Sequence, residues 1–366
     1  MTAAGAPRDG ADARRFAMVC DRFVRARDRC GSADMRFRFA TYDMQLSVVG
    51  GALTHAMQAP FAHLRTNENG AAPHLAIELW DTGESGVAEV PADHAHAGGR
   101  SWDLTDSVLG DSVLAVSDDA RFVSYAVRRS VAWLDRLDGR ICGWFPDGDD
   151  LSLHQRGKPL QMLLAIWASD RGLHPMHAGL VGRAQRGVLL PGRSGSGKST
   201  AALAALQNGC QYAGDDWIAV GRAGDGAAVG HGLYGTATLE SQHAERFARL
   251  QPQSVHSTSG PERKSLLLVS QIAPERLADS VPLCALALPR VVDRSDVRLR
   301  RASRREALLT IVPSSIFTMS PRGSRRDTER IFELAESLPA YWLEIGRDLG
   351  QIAQRIDDIL QDVAPS

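Results

Sequence analysis

The spacing of apolar residues changes period along this chain, and each change marks a change of element. Over residues 13–29 the apolar positions Phe16, Val19, Cys20 and Phe23 recur at helical spacing and arginines fill the remaining face, which predicts an amphipathic helix. Beyond Gly31 the period falls to two: 35–39, 44–48 and much of 74–79 alternate apolar with polar and predict short strands, with a helix over 52–64 between them. Residues 112–116, 122–127, 130–137 and 140–145 predict further strands, the last two joined as a hairpin by Asp138-Gly139. The Pro/Gly/Asp cluster 146–150 reads as a boundary.

After it the pattern turns to alternating helices and strands. Residues 159–171 carry Leu160, Met162, Leu163, Leu164, Ile166 and Trp167 around most of a helix surface, which predicts burial on all sides. Strands are predicted at 178–181 and 187–190, a helix at 199–207 stopped by Asn208-Gly209, and extended segments at 210–213 and 217–220 around Gly214. Strands near 266–269 and 283–288 and helices near 303–311, 327–337 and 349–361 complete the pattern. The chain therefore divides into a loose start at 1–12, a β-rich α+β domain at 13–150 and an α/β domain at 151–366.

Composition narrows the function classes. A chain of 366 residues, 44% hydrophobic and 23% charged with a formal charge of −1, suits a globular protein of two domains and gives no basic excess for a nucleic-acid partner. No apolar run is long enough for a membrane helix and the start lacks a signal-peptide pattern, so a cytoplasmic protein without a membrane partner is expected. The five cysteines, Cys20, Cys30, Cys142, Cys210 and Cys284, are scattered without a CxxC and read as reduced thiols in a core. Glu89, Asp93, His94 and His96 invite a metal site, but their Gly/Ala-rich surroundings favour an exposed polar loop.

The chemistry is concentrated at one octet. Gly192, Arg193, Ser194, Gly195, Ser196, Gly197, Lys198 and Ser199 spell GxxxxGKS, followed by Thr200, between a predicted strand and a predicted helix. In such a loop, backbone N–H groups close around phosphates at a helix N-terminus, the lysine reaches the β/γ oxygens and the Ser199 hydroxyl can ligate Mg²⁺. The chain writes its basic residues as arginine except at Lys158, Lys198 and Lys264, so a lysine is kept where a compact point charge is wanted. ATP and Mg²⁺ are the expected cofactors. Asp215 and Asp216 lie seventeen and eighteen residues beyond Lys198, about one helix and one turn, and should return to the same sheet edge, one toward the metal and one as base. His177, fifteen residues before Gly192, starts the strand that pairs with the loop strand.

His177, GxxxxGKS and the Asp-Asp pair in this order resemble the catalytic domain of the HPr kinase/phosphorylase family over residues 155–240, and more loosely to 360. The resemblance implies a P-loop kinase core, a mixed sheet flanked by helices, acting on a serine hydroxyl of a protein or peptide. It implies His177 as the active-site histidine, Lys198 as the phosphate lysine, Ser199 and Asp216 as metal ligands with Glu240 as a third, and the Asp pair as catalytic acids with Asp215 as the expected base. Homo-oligomers are implied as well. The family's glycine-rich signature after the glutamate and its arginine loop for phosphorolysis are missing, which leaves the reverse reaction without its motif. The layout is also similar to kinases of this superfamily from lasso-peptide pathways, which phosphorylate a C-terminal serine of a precursor peptide. Two other classes stay open: a small-molecule kinase on the same core, and a P-loop NTPase or nucleotide sensor, although neither an NKxD nor an LSGGQ-like accessory is present. Arg263-Lys264 and the arginine-rich stretch 290–305 are further candidates for phosphate or acidic-peptide contacts.

Overall fold

The structure is a computed structural model that describes residues 9–68, 72–88, 97–103, 112–240, 246–247, 250, 254–256, 264–319 and 325–362. It divides into two compact units, Met1–Ala59 with Arg65–Asp170, and Pro60–Leu64 with Arg171–Ser366. Both units are mixed α/β.

The first unit runs α1 (Asp9–Cys30), β1 (Ala33–Phe39), β2 (Tyr42–Val49), α2 (Gly51–Gln58), β3 (Leu75–Asp81), α3 (Thr82–Ser85), β4 (Arg100–Asp103), β5 (Ser112–Val116), β6 (Phe122–Val127), β7 (Ser130–Asp135), β8 (Arg140–Phe145), α4 (Leu153–Gly157) and α5 (Gln161–Asp170). Its eight strands form one sheet in the order β1-β2-β3-β8-β7-β6-β5-β4, with β2, β3 and β8 parallel and the rest antiparallel. The period-two reading of residues 35–39 holds: Met35, Phe37 and Phe39 are buried and the intervening arginines sit at the surface layer. The helical reading of α1 holds too. Phe16, Val19, Cys20, Phe23 and Ala26 form its buried stripe against Trp80, Trp133, Cys142 and Trp144 of the sheet, each large side chain contributing about 1.5–3 kcal/mol of burial.

Two boundaries differ from the sequence expectation. The predicted helix 52–64 is α2 followed by a 3-10 turn at Ala59–Leu64, because Pro60 has no N–H for an α-helical bond and its ring crowds the carbonyl one turn back. That turn belongs to the second unit, where the Gly235 N–H donates to the Pro60 carbonyl at 2.7 Å and the Phe61 ring lies 5.4 Å from Tyr234. The domain boundary also falls at Asp170, not at 150. The all-round apolar α5 packs on β6 and buries Met162, Leu163, Leu164 and Trp167 in the first unit, so the Pro/Gly/Asp cluster 146–150 is an internal loop.

The second unit contains β9 (His174–Met176), β10 (Ala178–Arg183), β11 (Arg186–Pro191), α6 (Lys198–Gln207), β12 (Gln211–Gly214), β13 (Ile218–Arg222), β14 (Ala228–Gly232), β15 (Thr236–Glu240), β16 (Ser254–His256), β17 (Lys264–Leu268), α7 (Val269–Ile272), β18 (Ser280–Val291), β19 (Arg298–Ala302), α8 (Arg304–Met319), α9 (Arg325–Ser337), β20 (Ala340–Ile345) and α10 (Leu349–Asp362). The long β18 is its spine. The start of β18 pairs with β14, its middle lies parallel to β11 and its end parallel to β20. The main sheet runs β12-β10-β11-β18-β14-β13-β9, with β20 and β19 continuing from β18, and β15, β17 and β16 form a separate antiparallel sheet. Helices α6 and α10 bury Ala201–Leu206 and Ile352, Ile356 and Ile359 in one core cluster, while α8 and α9 bury Ala307, Ile311, Ile331 and Leu334 in another.

Candidate functional site

The site forms where two strand pairs are interrupted at the same place. β9 and β10 are separated only by His177, and β12 and β13 only by residues 215–217. The pairs that flank the break share one antiparallel register, Met176 opposite Ile218 and Leu180 opposite Gly214, and a bulge after Leu180 shifts the β10–β12 ladder by one residue. His177 and the Asp pair are therefore released from the ladders at facing positions. The third member follows from the next strand: Ala178 pairs with Pro191, so His177 stands across from the start of the glycine loop, about one strand spacing, near 5 Å, away. The placement depends on β10 running antiparallel to both β11 and β12, which puts its beginning at their ends.

The loop joins β11 to α6. Gly197 is the N-cap of α6 at φ 101°, a left-handed conformation that glycine adopts without strain, and a Cβ there would lie 2.7 Å from Ile345 Cδ1. Lys198 is buried, and its ammonium donates to the Gly192 carbonyl at 2.7 Å and the Arg193 carbonyl at 3.1 Å, which folds the charge back over the loop. Arg193, Ser194 and Gly195 are exposed, and Ser196, Gly197, Ser199 and Thr200 are half-buried. Two features suit a bound polyphosphate: Gly195, at φ 77°, has open space where a Cβ would sit, and the Ser196 hydroxyl is enclosed without a hydrogen-bond partner among the described residues.

The two aspartates sit in different surroundings. Asp216 Oδ1 lies 2.5 Å from His177 Nε2, and its side chain keeps 27% of its exposure while that of His177 keeps 9%. Asp215 is 2% exposed and accepts from the Thr238 backbone N–H at 3.4 Å. Tyr212, fully buried, donates its hydroxyl to the Thr236 carbonyl at 2.8 Å. Burial, with the charge of Asp215 added, holds the Tyr212 phenol well above its ordinary range, so its hydroxyl stays protonated.

Glu240 is exposed at the end of β15, opposite Lys264 in the antiparallel register, where opposite charges on neighbouring strands attract. It shares a strand with Thr238, and through that residue the strand is tied to Asp215. Arg263, Glu89, Asp93, His94 and His96 lie outside the described residues.

No protein-family model matches the sequence, and no curated protein does either. Among solved structures the chain is similar to the HPr(Ser) kinase/phosphatase from Coxiella burnetii, at 12% identity and a TM-score of 0.27, over 52% of this chain and 95% of that one. Among the described residues no helix is long and apolar enough to cross a membrane.

Sequence reasoning did not find Tyr212, Thr236 and Thr238. Tyr212 sits three residues before Asp215 and was available as a signal: a hydroxyl-bearing ring in a short strand that leads into an acid pair. Thr238 acts through its backbone, and no side-chain pattern reports that. The arginine-rich stretch 290–305 is largely engaged within the fold, Arg290 and Arg294 on Glu344, Arg298 on Asp296, Arg300 on Glu306 and Arg304 on Glu336.

Proposed function

We propose that this chain is an ATP- and Mg²⁺-dependent kinase that transfers a phosphoryl group to a hydroxyl, with a serine of a protein or peptide as acceptor. The observation that carries the proposal is the convergence of the Lys198 loop, His177 and the Asp pair at one end of three adjacent strands. The backbone N–H groups of 193–199 and Lys198 would hold the phosphates. Ser199, with an aspartate and Glu240 on the neighbouring strand, would hold Mg²⁺, which supplies charge neutralisation on the phosphate oxygens.

The chain's own contribution to transfer is orientation and proton acceptance. Asp216, the more exposed acid, is the group an incoming hydroxyl can reach, and His177 Nε2–H fixes the direction of its carboxylate. This moves the role of base from Asp215, expected from the sequence, to Asp216. Asp215, buried and tied to β15, then serves to hold the metal side of the site. The serine acceptor comes from the motif resemblance, and a lasso-type precursor peptide is the first acceptor to try.

The test is incubation of the purified chain with Mg²⁺, γ-labelled ATP and a panel of serine-ended peptides, including the precursor peptide encoded beside its gene, read by intact mass. Addition of one phosphate to serine, lost in Lys198→Ala, supports the proposal. ATP turnover without a labelled peptide would replace it with a metabolite kinase or an NTPase, and absence of nucleotide binding would remove both.

A further inference from the structure

The first unit contains a polar cluster that the proposed transfer does not use. Cys20, on the buried stripe of α1, and Cys142, in the middle of β8, bring their sulfur atoms within 4.8 Å of each other and of a Glu78 carboxylate oxygen. Glu78 lies directly opposite Cys142 in the parallel β3–β8 register, and Arg140, two residues before Cys142, holds Glu78 Oε2 through Nε at 2.7 Å and Nη2 at 2.6 Å.

Two thiols and a carboxylate at this separation suit either a soft metal or a disulfide, and Arg140 decides between them. Its guanidinium occupies the carboxylate and places a fixed positive charge beside the space a cation would take, where a second positive charge is repelled. Nothing in that pairing opposes sulfur–sulfur bond formation. We propose that Cys20 and Cys142 are a redox pair that closes into a disulfide across the interface between α1 and the first sheet.

The chemistry needs an oxidant of the hydroperoxide class. Cys20 keeps 6% of its exposure and Cys142 none, so the peroxide reaches Cys20 first. The Cys20 thiolate attacks one peroxide oxygen, the O–O bond breaks, and the sulfur carries a hydroxyl as sulfenic acid while the other oxygen leaves and takes up a proton. Cys142 gives up its proton, its sulfur attacks the Cys20 sulfur, the S–O bond breaks and water leaves. With hydrogen peroxide the balance is two thiols and one peroxide giving one disulfide and two waters. Burial pushes the Cys142 thiol well up, which makes this second step the slow one. Closure requires the sulfurs to move from within 4.8 Å to bond length, a change that side-chain rotation and a small shift of the terminal helix supply.

The bond would close a loop of about 120 residues and pin α1 to the centre of the sheet. The test uses the full chain, its five free cysteines and the exposed Cys30 as internal control. After mild hydrogen peroxide, a loss of two hydrogens in mass, a tryptic peptide joining the Cys20 and Cys142 segments that dithiothreitol splits, and a melting temperature higher by about 5 °C are expected. Cys20→Ser and Cys142→Ser should each abolish the cross-link. If either variant fails to fold, alkylation mapping of the wild-type chain decides alone. Oxidation stopping at sulfenic or sulfinic acid on Cys20, or disulfides formed only through Cys30, would overturn the proposal. Stoichiometric zinc in the purified chain that both serine variants lose would overturn it in favour of a metal site.

Discussion

Asp135 in the first unit and the Asp215-Asp216 pair in the second all stand at the ends of β-strands, yet their neighbours differ in kind. Asp135, with 2% of its side chain exposed, is gripped by the Arg121 fork through Nε at 3.0 Å and Nη2 at 2.6 Å, and it accepts the Leu137 and Asp138 N–H groups of the hairpin turn at 3.0 and 3.4 Å. Arginine does not release its proton, so this cluster can hold a turn and cannot exchange a proton. Asp216 faces an imidazole, and Asp215 faces a phenol and a backbone N–H. Histidine can donate, accept or carry charge near neutral pH. The comparison separates a carboxylate saturated for the fold from carboxylates whose partners are suited to proton transfer, one of them, Asp215, as deeply buried as Asp135.

The strongest way to sharpen this comparison is to remove one charge from each cluster without changing its shape. Asp216→Asn should lower phosphoryl transfer about 10³-fold with nucleotide affinity and melting temperature nearly unchanged. The measurement is single-turnover transfer alongside a nucleotide titration. Wild-type transfer in this variant would return the role of base to Asp215. Asp135→Asn should act the other way, costing about 2 kcal/mol of stability because Arg121 loses its buried charge partner and keeps the exposed Asp138, with transfer per folded molecule kept. Urea unfolding read together with activity distinguishes the two.

A smaller effect is expected from pH, and it falls on the second unit. Burial holds His63 and His231 down at about 4, against an unfolded value near 6.5. A histidine whose folded pKa is depressed gives its full stability above the unfolded pKa and loses it as pH falls through that value toward the folded one. The window is therefore pH 6.5 down to 4, with a loss of about 2 kcal/mol per histidine once residual solvent contact is discounted. Both residues belong to the second unit, so its unfolding midpoint should drop over that range. Replacing His231 with Gln should flatten half of the drop, and an unchanged slope would show that the imidazole charges without penalty.

How much of this was readable beforehand depends on where each property resides. The alternation in 35–39 and the helical stripe Phe16, Val19, Cys20 and Phe23 survive because burial acts on side chains one at a time, and the octet 192–199 survives because its glycines and Lys198 are local requirements. Strands β14, β15 and β20 were not anticipated. Their residues, such as Gly230 and Gly232 in β14, are placed by pairing with partners far along the chain, and β20 is extended because β18 lies beside it. The domain edge failed for a related reason: turn-forming residues at 146–150 report a local bend, while the contacts that assign α5 to the first unit are tertiary. At the site, the residue types were visible but the shared break in β9–β10 and β12–β13 was not, since it is a property of register.

The least disruptive change tests the most specific claim about the acid cluster. Tyr212→Phe removes one hydroxyl and leaves a ring of the same shape in a fully buried place. The lost hydrogen bond to the Thr236 carbonyl, 2.8 Å in the wild type, should cost about 1 kcal/mol of stability. If the hydroxyl also orients Asp215, kcat should fall about tenfold while KM for ATP stays, because a mispositioned carboxylate harms the transfer step and leaves the phosphate loop intact. The acid limb of the kcat profile should move as well, since Tyr212 stays protonated across the working range and removing it changes the environment of the acid pair. A stability loss with kcat and its pH profile unchanged would assign the hydroxyl to holding β15 through the Thr236 carbonyl, with the Thr238 N–H as the contact from that strand that orients Asp215.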